Sequence, residues 1–170
     1  MTADELLRLA DDGWRYELIR GELKRMSPSG ARDGEVAAGI IISLGSHVKE
    51  RKLGTVYSSE TGFRIARNPD TVRAPDAAFV RADRLMKTTS FFEGPPDVAI
   101  EVVSPNDSYT EVDEKTAEWL RAGVRVVIIV DPRTRRVNIH RANGATPATD
   151  GIEIDDTIPG WRMSLADVFD

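Results

Sequence analysis

The chain has 170 residues and a formal net charge of −5, and its composition is 41% hydrophobic and 30% charged, which is typical of one soluble globular domain. It contains no cysteine, so disulfides, thiolate nucleophiles and cysteine zinc sites are excluded. The N-terminus is acidic and no apolar run approaches the roughly 20 residues that cross a bilayer, so we expect a cytoplasmic protein with no membrane partner.

The first third of the chain predicts a short helix, a hairpin and a long helix. A Thr-x-x-Glu capping box near the N-terminus precedes an amphipathic ELLRLA segment. The RYELIRGELKRM segment divides at Arg20-Gly21 into two short alternating runs, which indicates a β-hairpin. Apolar residues then recur at helical spacing from Asp33, predicted as the N-cap, to Gly54, predicted as the residue that ends the helix.

The rest of the chain predicts strands arranged around one more long helix. Three segments, TVYSS, GFRIA and DAAFV, have strand character and are separated by turn residues. The DVAIEVV segment is apolar on both faces, as in the centre of a sheet that is covered on both sides. A helix ending at Gly123, the strands VRVVIIVDP and RVNIHRA, and a short helix in WRMSLADVF complete the chain. This order predicts one α/β or α+β sandwich domain over residues 1–170.

Glu101 lies in the middle of the apolar DVAIEVV strand. An ionised carboxylate is costly to bury there unless a cation or several donors accompany it, and a salt bridge to an arginine or a position near the strand end would suffice. Asp76 opens the DAAFV strand. If the two strands are neighbours, Asp76, Glu101 and the carbonyl of Val102 could converge on a hard divalent cation such as Mg²⁺.

Lys115 lies at the border of the apolar stripe on the helix that follows the Glu101 strand. A long side chain at such a border can lie along the core and bring its amine to a cleft. A surface ion pair with Glu111 or Glu118 is the simpler alternative. Because the connecting loop is short, the first turns of the helix could lie near Glu101, and a cluster of two carboxylates and a lysine is then possible.

These motifs resemble, in order along the chain, the Uma-two family of restriction endonucleases within the PD-(D/E)XK nuclease superfamily. The similar segments are RYELIRGELKRMSPSG, RAPDAAFV, DVAIEVVSPNDSY, DEKTAEWLRAGVRVVIIVDP and IPGWRMSLADVF. The resemblance implies a restriction-endonuclease-like α/β (α+β) fold: a mixed sheet flanked by helices, with an N-terminal helix and a β-hairpin. It also implies that Asp76 and Glu101 are the metal carboxylates. The superfamily motif would place a lysine at the position of Val103, but members of this family supply it from the following helix, where Lys115 matches. The resemblance also implies that Glu60 helps to position metal or water.

The chain departs from the family at one position. Members often have histidine where this chain has Asp33, to which we assign only a structural role. We expect His47 and His140 to be structural or surface residues.

The resemblance therefore predicts a Mg²⁺-dependent endonuclease, with Mn²⁺ as an alternative metal, that hydrolyses nucleic-acid phosphodiester bonds. DNA is the expected substrate, and a homodimer is the expected assembly because two strands must be cut. Two basic groups are candidate phosphate contacts, although a solvated surface is the simpler interpretation of both. They are Arg64, Arg67, Arg73, Arg81, Arg84 and Lys87, and Arg133, Arg135 and Arg136.

Two other functions compete with this prediction. The first is a weak or inactive member of the fold that acts as a nucleic-acid or protein interaction module, which the net charge of −5 and the valine at position 103 favour. The second is a metal-dependent hydrolase whose substrate is not nucleic acid.

Overall fold

Two β-sheets form the framework of this computed structural model, which describes residues 1–9 and 12–170. The strands are β1 (Arg15–Ile19), β2 (Glu22–Met26), β3 (Gly54–Ser58), β4 (Phe63–Ala66), β5 (Thr71–Arg73), β6 (Ala77–Arg81), β7 (Phe92–Glu93), β8 (Val98–Val102), β9 (Val126–Asp131), β10 (Arg136–Arg141), β11 (Gly144–Pro147), β12 (Gly151–Glu153) and β13 (Arg162–Ser164). The helices are α1 (Ala3–Leu7), α2 (Ala31–Arg51), α3 (Tyr109–Ala122) and α4 (Leu165–Phe169). In the described residues, no helix is both long and apolar enough to cross a bilayer.

The larger sheet has the strand order β11-β10-β9-β8-β6-β3, and the smaller sheet has the order β2-β1-β5-β4-β7. Strands β12 and β13 form a separate antiparallel pair. In the larger sheet β8 and β9 run parallel while β6 and β8 run antiparallel, so the sheet is mixed. The DVAIEVV segment is therefore a central strand, as its apolar pattern predicts.

The two faces of β8 pack against different layers. Val98 and Ile100 belong to a core cluster that includes Ile40 and other residues of α2. Ala99 belongs to a second cluster that includes Trp119 of α3. Because successive strand residues point to opposite faces, Glu101 lies on the same face as Ala99, below α3.

The N-cap of helix α2 lies three residues before the predicted one. Gly30 is the N-cap, so the prediction that Asp33 caps this helix is wrong. Asp33 lies inside the first turn, buried, and its Oδ2 accepts a hydrogen bond of 2.8 Å from the hydroxyl of Ser104 in the loop after β8. The Asp33 carboxylate, which the local sequence pattern assigned to the helix cap, is therefore hydrogen-bonded to a residue distant in sequence.

Helix α2 also ends earlier than predicted. Lys52 adopts the left-handed conformation that terminates the helix, with φ of 55°. Gly54 instead begins β3 and pairs with Arg81 of β6. A Cβ at position 54 would lie 2.0 Å from the carbonyl oxygen of Val80, so close strand pairing explains this glycine.

The remaining differences are strands that local pattern did not indicate. Strand β5 follows the predicted turn at residues 68–70, and β7, β11 and β12 are also additional. The C-terminal segment predicted as one short helix is β13 followed by α4, which starts where Ser164 caps it. Two- to four-residue strands carry too little alternation to be recognised without their partners.

Replacing Gly54 with alanine should destabilise the protein strongly, because backbone at Val80 cannot move away as a flexible side chain could. We expect the free energy of unfolding in urea to fall by about 2 kcal/mol or more. Gly34→Ala is the matched control, since it adds a methyl group to open space inside α2 and should raise stability by up to about 1 kcal/mol. Equal effects of the two substitutions would contradict the packing argument.

Candidate active site

Asp76 lies immediately before β6, where that strand meets the end of β8. The antiparallel register pairs Ala77 with Ile100, and continuing it by one step places Asp76 opposite Glu101. Asp76 Oδ2 accepts a hydrogen bond of 2.7 Å from the backbone N–H of Val102. The structure therefore brings Asp76, Glu101 and Val102 to one end of the larger sheet.

Two side chains of α3 contact the Glu101 carboxylate. Lys115 Nζ lies 2.9 Å from Glu101 Oε2, and Trp119 Nε1 donates a hydrogen bond of 2.8 Å to Oε1. Lys115 and Trp119 are four residues apart and so share one face of the helix. The cation that accompanies the strand carboxylate is thus a lysine from the next helix.

The surface alternative for Lys115 does not occur. Glu111 belongs to the capping box of α3, where it accepts a hydrogen bond from the backbone N–H of Ser108. Glu118 forms an ion pair of 2.5 Å with Arg73. Lys115 is turned towards the sheet, and its side chain is 21% exposed.

Glu17, which no sequence motif marked as a site residue, completes the buried charge cluster. Its Oε2 lies 2.7 Å from Arg73 Nη1, and its Oε1 accepts a 3.0 Å hydrogen bond from the Ala74 N–H and lies 3.6 Å from Lys115 Nζ. The only local signal was a carboxylate in the alternating RYELI strand, on the face opposite Leu18. Alternation alone does not mark such a residue as buried, yet Glu17 is 2% exposed.

Burial and neighbouring charges shift the pKa values of this cluster in different directions. Burial raises the pKa of Glu101 to about 7, although Lys115 opposes the shift, and burial also raises the pKa of Asp76. Burial opposes ionisation of Glu17 as well, but Lys115 and Arg73 outweigh it and lower the pKa of that carboxyl. Burial disfavours the Lys115 ammonium, yet Glu101 and Glu17 more than compensate and raise its pKa. A charged lysine therefore lies beside an ionised Glu17, while Glu101 and Asp76 resist ionisation.

Several predicted phosphate contacts are occupied by internal ion pairs. Arg73 is buried between Glu17 and Glu118, so its prediction as part of a phosphate-binding surface is wrong. The side chain of Arg64 is 14% exposed and contacts Asp70 at 2.8 Å, which makes the same prediction wrong for Arg64.

The remaining basic residues lie nearer the surface. Arg81 pairs with Asp83, Arg84 contacts Asp97 at 3.0 Å, and Arg67 contacts Glu93 at 2.6 Å. Arg133 and Arg135 lie in the turn between β9 and β10, and Arg136 begins β10.

Glu60 lies on a cavity of about 280 Å³ that Asp76 also lines. The Glu60 side chain is 77% exposed and lies 3.6 Å from Arg15 Nη1. Glu101 and Lys115 are not among the described residues that line this cavity. Asp76 and Arg73 therefore connect the charge cluster to the open cavity.

The carboxylates of Asp76 and Glu101 are suitable ligands for Mg²⁺, but Glu101 also has protein partners. Residues 1–9 and 12–170 contain no group of three or more acidic or histidine side chains arranged to hold a metal. Mg²⁺ does not require such a group, since it is commonly bound by one or two carboxylates and completes its shell with water and substrate phosphate. A cation at Asp76 and Glu101 would share Glu101 with Lys115 and Trp119.

The mixed α/β architecture confirms the fold class predicted from the sequence, that of nuclease-like proteins. Over residues 3–166 the chain matches the family model described as "Uma2: Putative restriction endonuclease". The protein belongs to this family, which confirms the resemblance seen in its motifs.

One solved structure with a similar fold is the crystal structure of "a putative nuclease belonging to DUF820" from Anabaena variabilis. Its TM-score is 0.83 at 21% sequence identity, and the match covers 99% of this chain and 97% of that chain. At this identity the likeness establishes the fold alone. None of the curated proteins matches the chain.

The raised pKa of Glu101 predicts a pH-dependent loss of stability in metal-free protein. Its ordinary value is 4.5 and its folded value is about 7, so the folded state holds more protons between these values. The contribution is complete below pH 4.5 and is lost as the pH rises through 7. The free energy of unfolding of the parent protein, measured from pH 5 to 8, should therefore fall relative to that of Glu101→Gln. Parallel pH profiles would contradict the raised pKa.

Glu17→Gln should destabilise the protein because it removes a negative charge from between two buried cations. We expect a loss of about 3 kcal/mol in urea unfolding, the scale for breaking a buried ion pair. Glu22→Gln, on the exposed second strand of the same hairpin, is the control and should stay within about 0.5 kcal/mol of the parent. A Glu17 variant as stable as this control would show that the pair is not needed for folding.

Proposed function

We propose that the protein is a metal-dependent endonuclease that hydrolyses phosphodiester bonds of nucleic acid, with DNA as its substrate. The observation that carries the proposal is the 2.9 Å contact between Lys115 Nζ and Glu101 Oε2, at the sheet end where Asp76 lies. It supports the idea that α3 supplies the lysine that the nuclease motif would place at Val103. Membership of the Uma2 family supports the same activity.

Asp76 and Glu101, with the carbonyl of Val102, are the groups that we propose hold Mg²⁺, or Mn²⁺ in its place. When bound, such an ion supplies polarisation of the phosphoryl oxygen and acidifies water at the site. Asp76 is held for this role by the Val102 N–H, and Glu101 by Trp119.

Lys115 provides a fixed positive charge in a partly desolvated place. A charge that is already oriented stabilises developing negative charge on a phosphate without the cost of reorganisation. Glu17 and Glu101 hold the ammonium from two sides, at 3.6 and 2.9 Å, so they act as positioning residues for it. We assign to Glu60 the role of orienting water or metal, and its place on the cavity that Asp76 also lines supports this assignment.

A second candidate function is nucleic-acid or protein binding without cleavage. One observation favours it: both oxygens of Glu101 already have protein donors, so the site is internally satisfied. Binding of nucleic acid in Mg²⁺ with no cleavage would support this function. Hydrolysis of small phosphoesters alone would support a hydrolase of another substrate class.

A nuclease assay tests the proposal with plasmid, linear duplex and single-stranded DNA and with RNA, each in Mg²⁺, Mn²⁺ and a chelator. We expect DNA cleavage that the chelator abolishes. We also propose a homodimer, because one site per chain cuts one strand. A monomeric mass in solution at high protein concentration would contradict the dimer, and cleavage that persists in the chelator would contradict the metal.

Asp76→Asn and Lys115→Arg should each lower the cleavage rate by about a hundredfold or more, the scale for losing one oriented charge or donor. Arginine keeps the charge beside Glu101 but is too broad for the same point-charge geometry. Lys115→Ala is less informative, because it also leaves Glu101 and Glu17 with fewer partners.

The matched controls are Asp83→Asn and Lys49→Arg, which change exposed residues away from the charge cluster and should cleave like the parent. Thermal unfolding of each variant separates lost activity from lost folding. Parental cleavage by both Asp76→Asn and Lys115→Arg would show that the proposed site is wrong.

A further inference from the structure

The cavity beside Asp76 has walls that the proposed chemistry does not use. Its volume is about 280 Å³, at the small end of the range for ligand pockets. Aromatic and aliphatic side chains form much of the lining, among them Trp14, Tyr16, Phe91, Leu6 and Met26. A mainly apolar cavity with a few polar groups is the usual composition of a site for a small ring-containing ligand.

Trp14 is the most solvent-exposed of the aromatic residues that line the cavity. It is 43% exposed, and the guanidinium of Arg25 lies 3.8 Å from its ring centroid. The backbone N–H of Trp14 donates to Asp12 Oδ1 at 3.0 Å, and the Tyr16 hydroxyl donates to Oδ2 of the same carboxylate at 2.6 Å. One acidic side chain therefore ties together the two aromatic positions, and a cation braces the indole. The indole is partly exposed, and because the Arg25 guanidinium covers one of its faces, only the opposite face could serve as a stacking surface.

Positive charge accompanies these aromatic rings. Arg15 lines the cavity, its side chain is 44% exposed, and its Nη1 lies 3.2 Å from Ser59 Oγ. Arg25 adds a second cation at Trp14. Aromatic side chains interleaved with arginines are the combination by which proteins bind single-stranded nucleic acid, stacking on the bases while contacting the backbone.

We propose that this cavity binds the base of an unpaired nucleotide adjacent to the bond that is cleaved. The inference rests on the proposed nuclease function and adds a substrate class to it: single-stranded or locally unpaired nucleic acid. Because Asp76 and Trp14 line the same cavity, a nucleotide whose phosphodiester lies beside Asp76 would place its base in the cavity that Trp14 borders. A cavity of this size accepts one ring system, whereas a base pair stacked in a helix cannot enter it, so the base must leave the stack.

Binding measured apart from cleavage tests this assignment. The full chain is titrated in a chelator with a fluorescently labelled single-stranded DNA, the matching duplex, and the same single strand with an abasic residue at successive positions. We expect the single strand to bind at least about tenfold more tightly than the duplex, and one abasic position to weaken binding by about tenfold. RNA of the same sequence shows whether the sugar matters.

Trp14→Ala should weaken binding of the single strand by about tenfold, and Trp14→Phe should restore most of it, because phenylalanine keeps a stacking face. Tyr109→Ala is the control, since Tyr109 is 87% exposed and is not part of the cavity lining. Circular dichroism confirms that each variant is folded.

Equal affinity for duplex and single strand, no effect of any abasic position, parental binding by Trp14→Ala, or no binding of any oligonucleotide would each overturn the assignment. The two proposals fail differently. Binding of single strands through Trp14 with no cleavage in Mg²⁺ or Mn²⁺ contradicts the endonuclease, while Mg²⁺-dependent cleavage at the parental rate by Trp14→Ala contradicts only the base-binding cavity.

Discussion

The ion pair between Glu101 and Lys115 is the contact on which the rest of the structure depends. It joins the central strand of the larger sheet to α3, and Lys115 also approaches Glu17 of the smaller sheet. Glu17 in turn holds Arg73, and Arg73 returns to α3 through Glu118. Charges removed from water must each find a partner, so this closed set fixes how α3 sits against both sheets.

Holding the two sheets and α3 together through buried charges carries a large desolvation cost. Apolar side chains of similar volume could fill the same space with comparable or greater stability, since the cost of desolvating charges can exceed their mutual attraction. We infer that the charges are kept for what they do at the sheet end, where Asp76 connects them to the cavity. The cation beside Glu101 comes from α3, one helical turn before Trp119, and not from position 103 of the strand.

The same segments of the chain contribute residues to the charge network and to the cavity. The strand that carries Glu17 is preceded directly by Trp14, and Arg73 and Ala74 lead from β5 to Asp76. The N-terminal hairpin thus contributes both to the charge cluster and to the aromatic walls. This arrangement gives the smaller sheet a role in the proposed function that its short strands do not suggest.

The sequence by itself determined the features that depend on neighbours along the chain. The apolar pattern of β8 identified it as a central strand, and the carboxylate within that pattern marked Glu101 as a candidate site residue. The motif order indicated the family, and helical spacing put Lys115 at the edge of a buried stripe. Only the tertiary structure decided which charged side chains are buried. Glu17, Arg73 and Asp33 had local patterns of a hairpin face, a surface arginine and a helix cap, yet each is buried against residues distant in sequence. Burial of a charge depends on its partner rather than on its neighbours, and those partners meet only when the two sheets and α3 pack together.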